Sequence, residues 1–219
     1  MKYLIVGLIV ILAAAGLTFL GHDEPHGNEP VTGLPWQIDR LADGNTRVFG
    51  ITLGQTTLGE AIALLGDDMD LAIIAAPDEA GSVEAYYSHY SAGPITGKLI
   101  LIVDIPSARL APMRERAFHD GGTRRYHLHP EDLPLAMRAP VRVITFLPSF
   151  NLDEAIIEDR FGSPAEVIQV NAGQRHLLYP DLGLDLILST DTRELLQYLQ
   201  PQAFGAHRSH LQQGHAAKK

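Results

Sequence analysis

Apolar and polar positions divide the chain into an apolar head, a short polar stretch and a body in which one pattern occurs twice. In the first copy Leu58, Ala61, Ile62 and Leu65 recur at helical spacing and form a single apolar stripe. Thr57 with Glu60 three residues on makes a capping box before that stripe, and Gly66 closes it. Apolar runs at 71–76, 83–90 and 98–105, bounded by Pro77-Asp78 and Gly93-Pro94, predict strands. The second copy reads Leu152-Asp153-Glu154-Ala155-Ile156 against Leu58-Gly59-Glu60-Ala61-Ile62. Phe161-Gly162 then stands against Leu65-Gly66 with two residues inserted. Asn151 and Glu154 are its expected cap, strands follow at 166–170, 176–179 and 184–188, and 194–199 fits either a helix capped by Asp191 and Glu194 or, the preferred reading, a further strand.

Between and before the copies the pattern is less regular. Residues 36–53 read as a hairpin turning at Asp43-Gly44-Asn45, with Trp36, the lone tryptophan, as a plug at its start. The connector predicts an amphipathic helix at 107–119, a strand at 123–129, a short helix at 130–137 with proline in its first turn, and a strand at 141–147. The expected fold class is α+β: an N-terminal transmembrane helix followed by a duplicated helix-plus-antiparallel-sheet unit. The corresponding divisions are an anchor at 1–21, a linker at 22–34, a first unit at 35–105 with its hairpin, a connector at 106–150, a second unit at 151–203 and a disordered tail at 204–219.

The anchor rests on residues 3–20, which carry no charge and as a helix would span about 27 Å, close to a bilayer's hydrocarbon core. The run is long for a cleaved signal peptide and no small-x-small site follows it, so a retained anchor is expected. Lys2 precedes the run while Asp23 and Glu24 follow it. That asymmetry predicts a single-pass inner-membrane protein with its C-terminal domain in the periplasm.

The formal charge of −9 and the lack of a basic stripe argue against nucleic acid as a partner. With no cysteine in the chain, disulfides, thiolate metal sites and a cysteine nucleophile are excluded. Ser88-His89 are neighbours expected on opposite faces of a strand, and no Gly-x-Ser-x-Gly, phosphate-loop or dinucleotide pattern occurs, so catalysis has no positive support and no cofactor is expected. Asp67, Asp68 and Asp70 lack the regular spacing of a calcium loop. His127 and His129 alternate on a strand, which would turn both imidazoles to one face, with Glu131, Asp132 or His119 as a third ligand. No metal-site spacing accompanies them, and His129 stands where a helix cap is due before Pro130.

Tyr86, Ser88 and Tyr90 are expected to share one strand face and are the candidate binding residues. The leading expectation is a non-enzymatic, membrane-tethered periplasmic binding or scaffold protein whose partner is another envelope protein. The alternatives are a metal-binding protein or metal-dependent hydrolase using His127 and His129, and a small-ligand carrier with a pocket between the two units.

The pattern of Gly54, the Leu-x-Glu-Ala-Ile helix, glycine then proline, and a small antiparallel sheet resembles the outer-membrane assembly lipoprotein BamE (SmpA) and the beta-lactamase-inhibitor-protein-like repeats, over residues 54–104 and 151–199. The chain departs from that pattern in lacking a lipidated cysteine, in having Asp67-Asp68 where Gly-x-Pro is expected, and in its long connector. Phe49-Gly50-Ile51-Thr52-Leu53-Gly54 and Tyr179-Pro180-Asp181-Leu182-Gly183-Leu184-Asp185 are also similar to segments of membrane-anchored periplasmic proteins of proteobacteria that have no assigned function. The first resemblance implies a periplasmic binding or scaffold domain, and the second implies no activity.

Overall fold

Asp43 sets the first turn, accepting the Asn45 N–H at 3.0 Å and so bending the chain between β1 (Asp39–Arg40) and β2 (Thr46–Val48). Phe49 and Gly50, at φ +52° and +77°, make the two-residue turn into β3 (Ile51–Thr52), which completes a three-stranded sheet. The computed structural model describes residues 31–76, 79, 81–119, 124–190 and 192–216, with side chains through 213. The body from Thr32 onward is one unit.

Helix α1 (Leu58–Leu65) starts at the predicted capping box: Thr57 Oγ1 accepts from the Glu60 N–H at 3.3 Å, and Glu60 accepts from the Thr57 N–H at 2.8 Å. It is followed by β4 (Asp70–Ile74), β5 (Ser82–Ala92) and β6 (Ile95–Val103). The connector holds α2 (Ser107–Arg116), the short strands β7 (Phe118–His119) and β8 (Arg125–His127), a 3-10 turn at Pro130–Asp132, α3 (Leu133–Arg138) and β9 (Val141–Pro148). Then come α4 (Glu154–Phe161), β10 (Glu166–Asn171), β11 (Gln174–Tyr179), β12 (Leu184–Ser189), β13 (Leu195–Leu199) and α5 (Phe204–Ala216). The cap of α4 is Asp153 rather than Asn151, its carboxylate accepting the Ile156 N–H at 2.8 Å, because Leu152 is drawn into the core.

These strands form one antiparallel sheet of ten, in the order β10-β11-β12-β13-β9-β6-β5-β4-β8-β7. The middle seam is β9 against β13, with Phe146 opposite Leu196 and Ile144 opposite Tyr198. The order of the four strands on either side of that seam corresponds, β8 and β7 being added beyond β4, and the same hydrogen bond ties a helix to the sheet on each side. Tyr87 donates its hydroxyl to the Gly66 carbonyl at 2.9 Å, and Tyr179 donates to the Gly162 carbonyl at 3.0 Å, each glycine closing a helix.

One face of this sheet carries the main core. Leu58 and Ala61 of α1, Leu110 and Met113 of α2, Ala136 of α3 and Ile157 of α4 pack on it with Val48, Phe49 and Ile51 of the small sheet. Phe49 stands at the centre of an aromatic group, its ring 5.5 Å from Tyr90, 5.6 Å from Phe146 and 5.7 Å from Tyr198. Trp36 lies at the rim, under the Arg160 guanidinium at 4.8 Å.

The expected fold class is corrected by this architecture. The described chain is dominated by a ten-stranded sheet and a three-stranded sheet with five short helices, instead of a membrane helix followed by two helix-plus-sheet units. Hydrogen bonding across β9–β13 merges what the sequence presents as separate units. The inner-membrane, single-pass placement with a periplasmic domain is withdrawn as well, since among the described residues no helix is long and apolar enough to cross a membrane. The apolar run at 3–20 and most of the linker lie outside the described residues. The tail expected to be disordered from Phe204 is helical through Ala216.

Candidate binding face

Side chains directly opposite one another on neighbouring strands share a face. Asp70, Tyr86, Ile100 and Thr145 are successive partners across β4, β5, β6 and β9, and the row continues through Gln197, Asp185 and Leu178 to Glu166 on β10. A second row runs from His127 through Ala72, Glu84 and Ile102 to Val143 and Leu199. These residues alternate with the core positions, so they form the sheet's second face. Among the described residues the element packed on it is α5, and α5 reaches only part of it: Phe204 is buried with Val143, Ile168, Leu178 and Leu199.

The half not reached by α5 carries a groove of about 210 Å³ lined by Asp70, Ala72, Ile74, Glu84, Tyr86 and Arg125. Its floor exists because β4 places the small side chain of Ala72 between Glu84 on β5 and His127 on β8. Arg125 pairs with Asp70 at 3.1 Å, so that carboxylate has a cation of its own. Glu84 accepts a hydrogen bond from the Ser82 hydroxyl at 2.6 Å and, among the described residues, makes no ion pair. The groove therefore combines an aromatic wall, an apolar floor and one carboxylate whose charge is not balanced by a partner.

Under α5 lies the most buried polar group of the face. Asp185 Oδ2 is 2.8 Å from His176 Nδ1 and 2.7 Å from His207 Nε2, and its other oxygen, Oδ1, is buried without a hydrogen-bond partner. Burial pushes the Asp185 pKa up, but the hydrogen bonds and charges of the two imidazoles outweigh it and hold the carboxyl below its ordinary value. Both rings address the same oxygen at hydrogen-bond distance. Among the described residues no group of three or more histidines and carboxylates is arranged to hold a metal ion.

The tyrosine strand behaves differently from its alternation. The β5–β6 register passes from Tyr87 opposite Leu99 to Tyr90 opposite Gly97, so one extra residue bulges out at Ser88-His89. Tyr86 stays on the second face and lines the groove, whereas Tyr90 is turned to the core face against Phe49 and Phe146. Ser88 remains exposed, its hydroxyl 3.1 Å from His89 Nδ1. The bulge brings these two neighbours together, correcting the expectation of opposite faces. His89 is exposed and, among the described residues, has no hydrogen-bonded carboxylate to orient it as a base.

The two candidate metal ligands have different neighbours. His127 ends β8 on the second face, its ring 6.3 Å from Phe118, while His129 caps the 3-10 turn by accepting the Glu131 N–H at 3.4 Å. Asp132 is buried and ion-paired to Arg116, pinning that turn to α2, and His119 stacks on Tyr126 at 4.5 Å. Of the acidic cluster, Asp70 joins the groove and Asp67 accepts the Met69 N–H through its backbone carbonyl. A larger open hollow of about 580 Å³ beside α4 is lined by Asp153, Glu154, Arg175 and Glu194. Those charges serve the fold: Asp153 caps α4, Arg175 pairs with Glu154, and Glu194 receives the Leu152 N–H at 3.4 Å.

The groove residues Glu84, Ala72 and Arg125, and the Asp185 cluster, were not legible as a site from sequence. The one signal was a charge, Asp185, set between Leu184 and Leu186 in a strand buried on both faces. Compared with protein-family models, with curated proteins and with solved structures, the chain matches none.

Proposed function

We propose that this protein is a non-enzymatic binding module that takes a polypeptide partner on the second face of its sheet, with a lysine or arginine of the partner entering the groove. The observation that carries the reading is Glu84, a carboxylate that makes no ion pair among the described residues, beside the Tyr86 ring and the apolar floor of Ala72 and Ile74, while the groove's own Arg125 is paired with Asp70. An aliphatic stem with a cationic head matches that lining: the stem covers the floor, the head pairs with Glu84, and the aromatic face adds attraction. The net charge of −9 favours approach of a basic segment over an acidic one. The resemblance to BamE and the inhibitor-protein-like repeats, which implies a binding domain, supports the same reading.

The test is an amide-resolved NMR titration of the protein with N-acetyl-arginine amide, and with N-acetyl-norleucine amide as the uncharged control. Saturable shifts are expected at Ala72, Glu84 and Tyr86 with the arginine probe, and Glu84→Gln should abolish them. Equal shifts with norleucine, or unchanged shifts in Glu84→Gln, would overturn the reading.

A further inference from the structure

We infer that α5 is a displaceable cover over the other half of this face, so that the surface offered to a partner is larger when α5 swings away. The inference rests on the binding reading for its use but stands on separate observations. The apolar footprint of α5 is small: Phe204 is buried and Leu211 half-buried, while Gly205, Ala206, Arg208, Ser209, His210, Gln212 and Gln213 face water. Val143, Ile168, Leu178, Leu199 and Phe204 form a cluster of their own, distinct from the main core on the opposite face. Lifting α5 therefore exposes that small cluster and leaves the large one closed.

Among the described residues, the other side-chain attachments of α5 are polar, two at the sheet edge and one to the buried Asp185. Arg208 and Gln212, one turn apart, both reach Glu166 on the edge strand β10, at 3.2 and 3.4 Å, and His207 reaches Asp185. Each of these groups is solvated by water once freed, so opening exchanges protein bonds for water bonds and leaves none of them unmade. On opening, Asp185 exchanges its bond to His207 for water, which then reaches Oδ1 as well. His176, from within the sheet, keeps its bond to the carboxylate throughout, so the opened face presents Asp185 already oriented. It is also continuous with the groove, since Tyr86, Ile100, Thr145, Gln197 and Asp185 lie in one cross-strand row.

Native-state hydrogen exchange on the full chain tests this without a partner. Amides of α5 from Arg208 to Gln213 are expected to exchange by an opening that leaves Leu101, Leu177, Leu186 and Leu196 protected. His207→Ala should lower protection in α5 by about tenfold or more with those four unchanged. Arg208→Ala combined with Gln212→Ala should do the same through different bonds. Exchange of α5 only together with the central strands, or loss of protection in both regions in the variants, would overturn the cover. The arginine titration is independent of that result, so a fixed α5 with an intact groove response would remove this inference and leave the binding reading standing.

Discussion

Phe49 sits at φ +52°, a conformation that a ring-bearing residue adopts at a cost, and it is kept there because its ring fills the centre of the Tyr90, Phe146 and Tyr198 group. Removing the ring should dominate: Phe49→Ala is expected to destabilise by about 4 kcal/mol in urea unfolding. Phe49→Gly should be the milder change, because glycine takes positive φ freely; if alanine proves better tolerated, the strain account fails. Asp185 makes a second residue-scale prediction. Its folded pKa is depressed, so its contribution is present above the ordinary carboxylate range and is lost as pH falls through the folded value. Urea midpoints measured downward from pH 7 should drop below about pH 4, and Asp185→Asn should flatten that drop while costing about 3 kcal/mol at neutral pH. At this scale the sequence was readable where chemistry is local, as in the Thr57–Glu60 capping box. At Asp185 it showed a charge in an apolar strand and no more, because a carboxylate's value depends on His207, a residue placed by the fold and not by spacing.

Among the elements, the paired helix ties invite a direct comparison. Tyr87→Phe and Tyr179→Phe each remove one hydroxyl bonded to a helix-closing glycine carbonyl, and each should cost about 1 kcal/mol. The two sites share no partner, so the double variant should show the sum within about 0.5 kcal/mol. The Tyr87 hydroxyl also titrates late, near 12, chiefly from burial with Tyr90 and Asp67 adding to it, so this tie persists through alkaline pH where exposed tyrosines ionise. Gly97 is the element-scale counterpart of Phe49: a methyl there would lie 2.4 Å from the Leu147 carbonyl and 2.6 Å from the Phe146 ring. Gly97→Ala should lower stability by about 2 kcal/mol on thermal or urea unfolding. Most strands and all the helices before α5 follow from period and punctuation. The Ser88-His89 bulge does not, because it arises from the pairing of β5 with β6, and it alone separates Tyr86 from Tyr90. Likewise α5 has too weak an apolar stripe to be told from a solvated tail until Phe204 and Leu211 find the sheet.

In the whole molecule, one sheet replaces two units because β9 pairs on both its edges, with β6 before it and β13 after it. No local pattern announces such pairing, since the partners of Ile144 are Leu101 and Tyr198, far apart along the chain. The same continuity creates the second face and divides it between the groove and α5, which is why the site was invisible to motif reading. It also imposes an order on how the molecule is made. While the chain grows, β4, β5, β6 and β9 can assemble from residues already synthesised, but the free edge of β9, with Val143, Ile144 and Phe146, has no neighbour until residues 195–199 appear. For that interval the nascent sheet ends in an apolar, unpaired strand of the kind that recruits other chains. A chain stopped before Leu195 thus carries the aggregation hazard of the whole fold, and β13 is the strand that removes it.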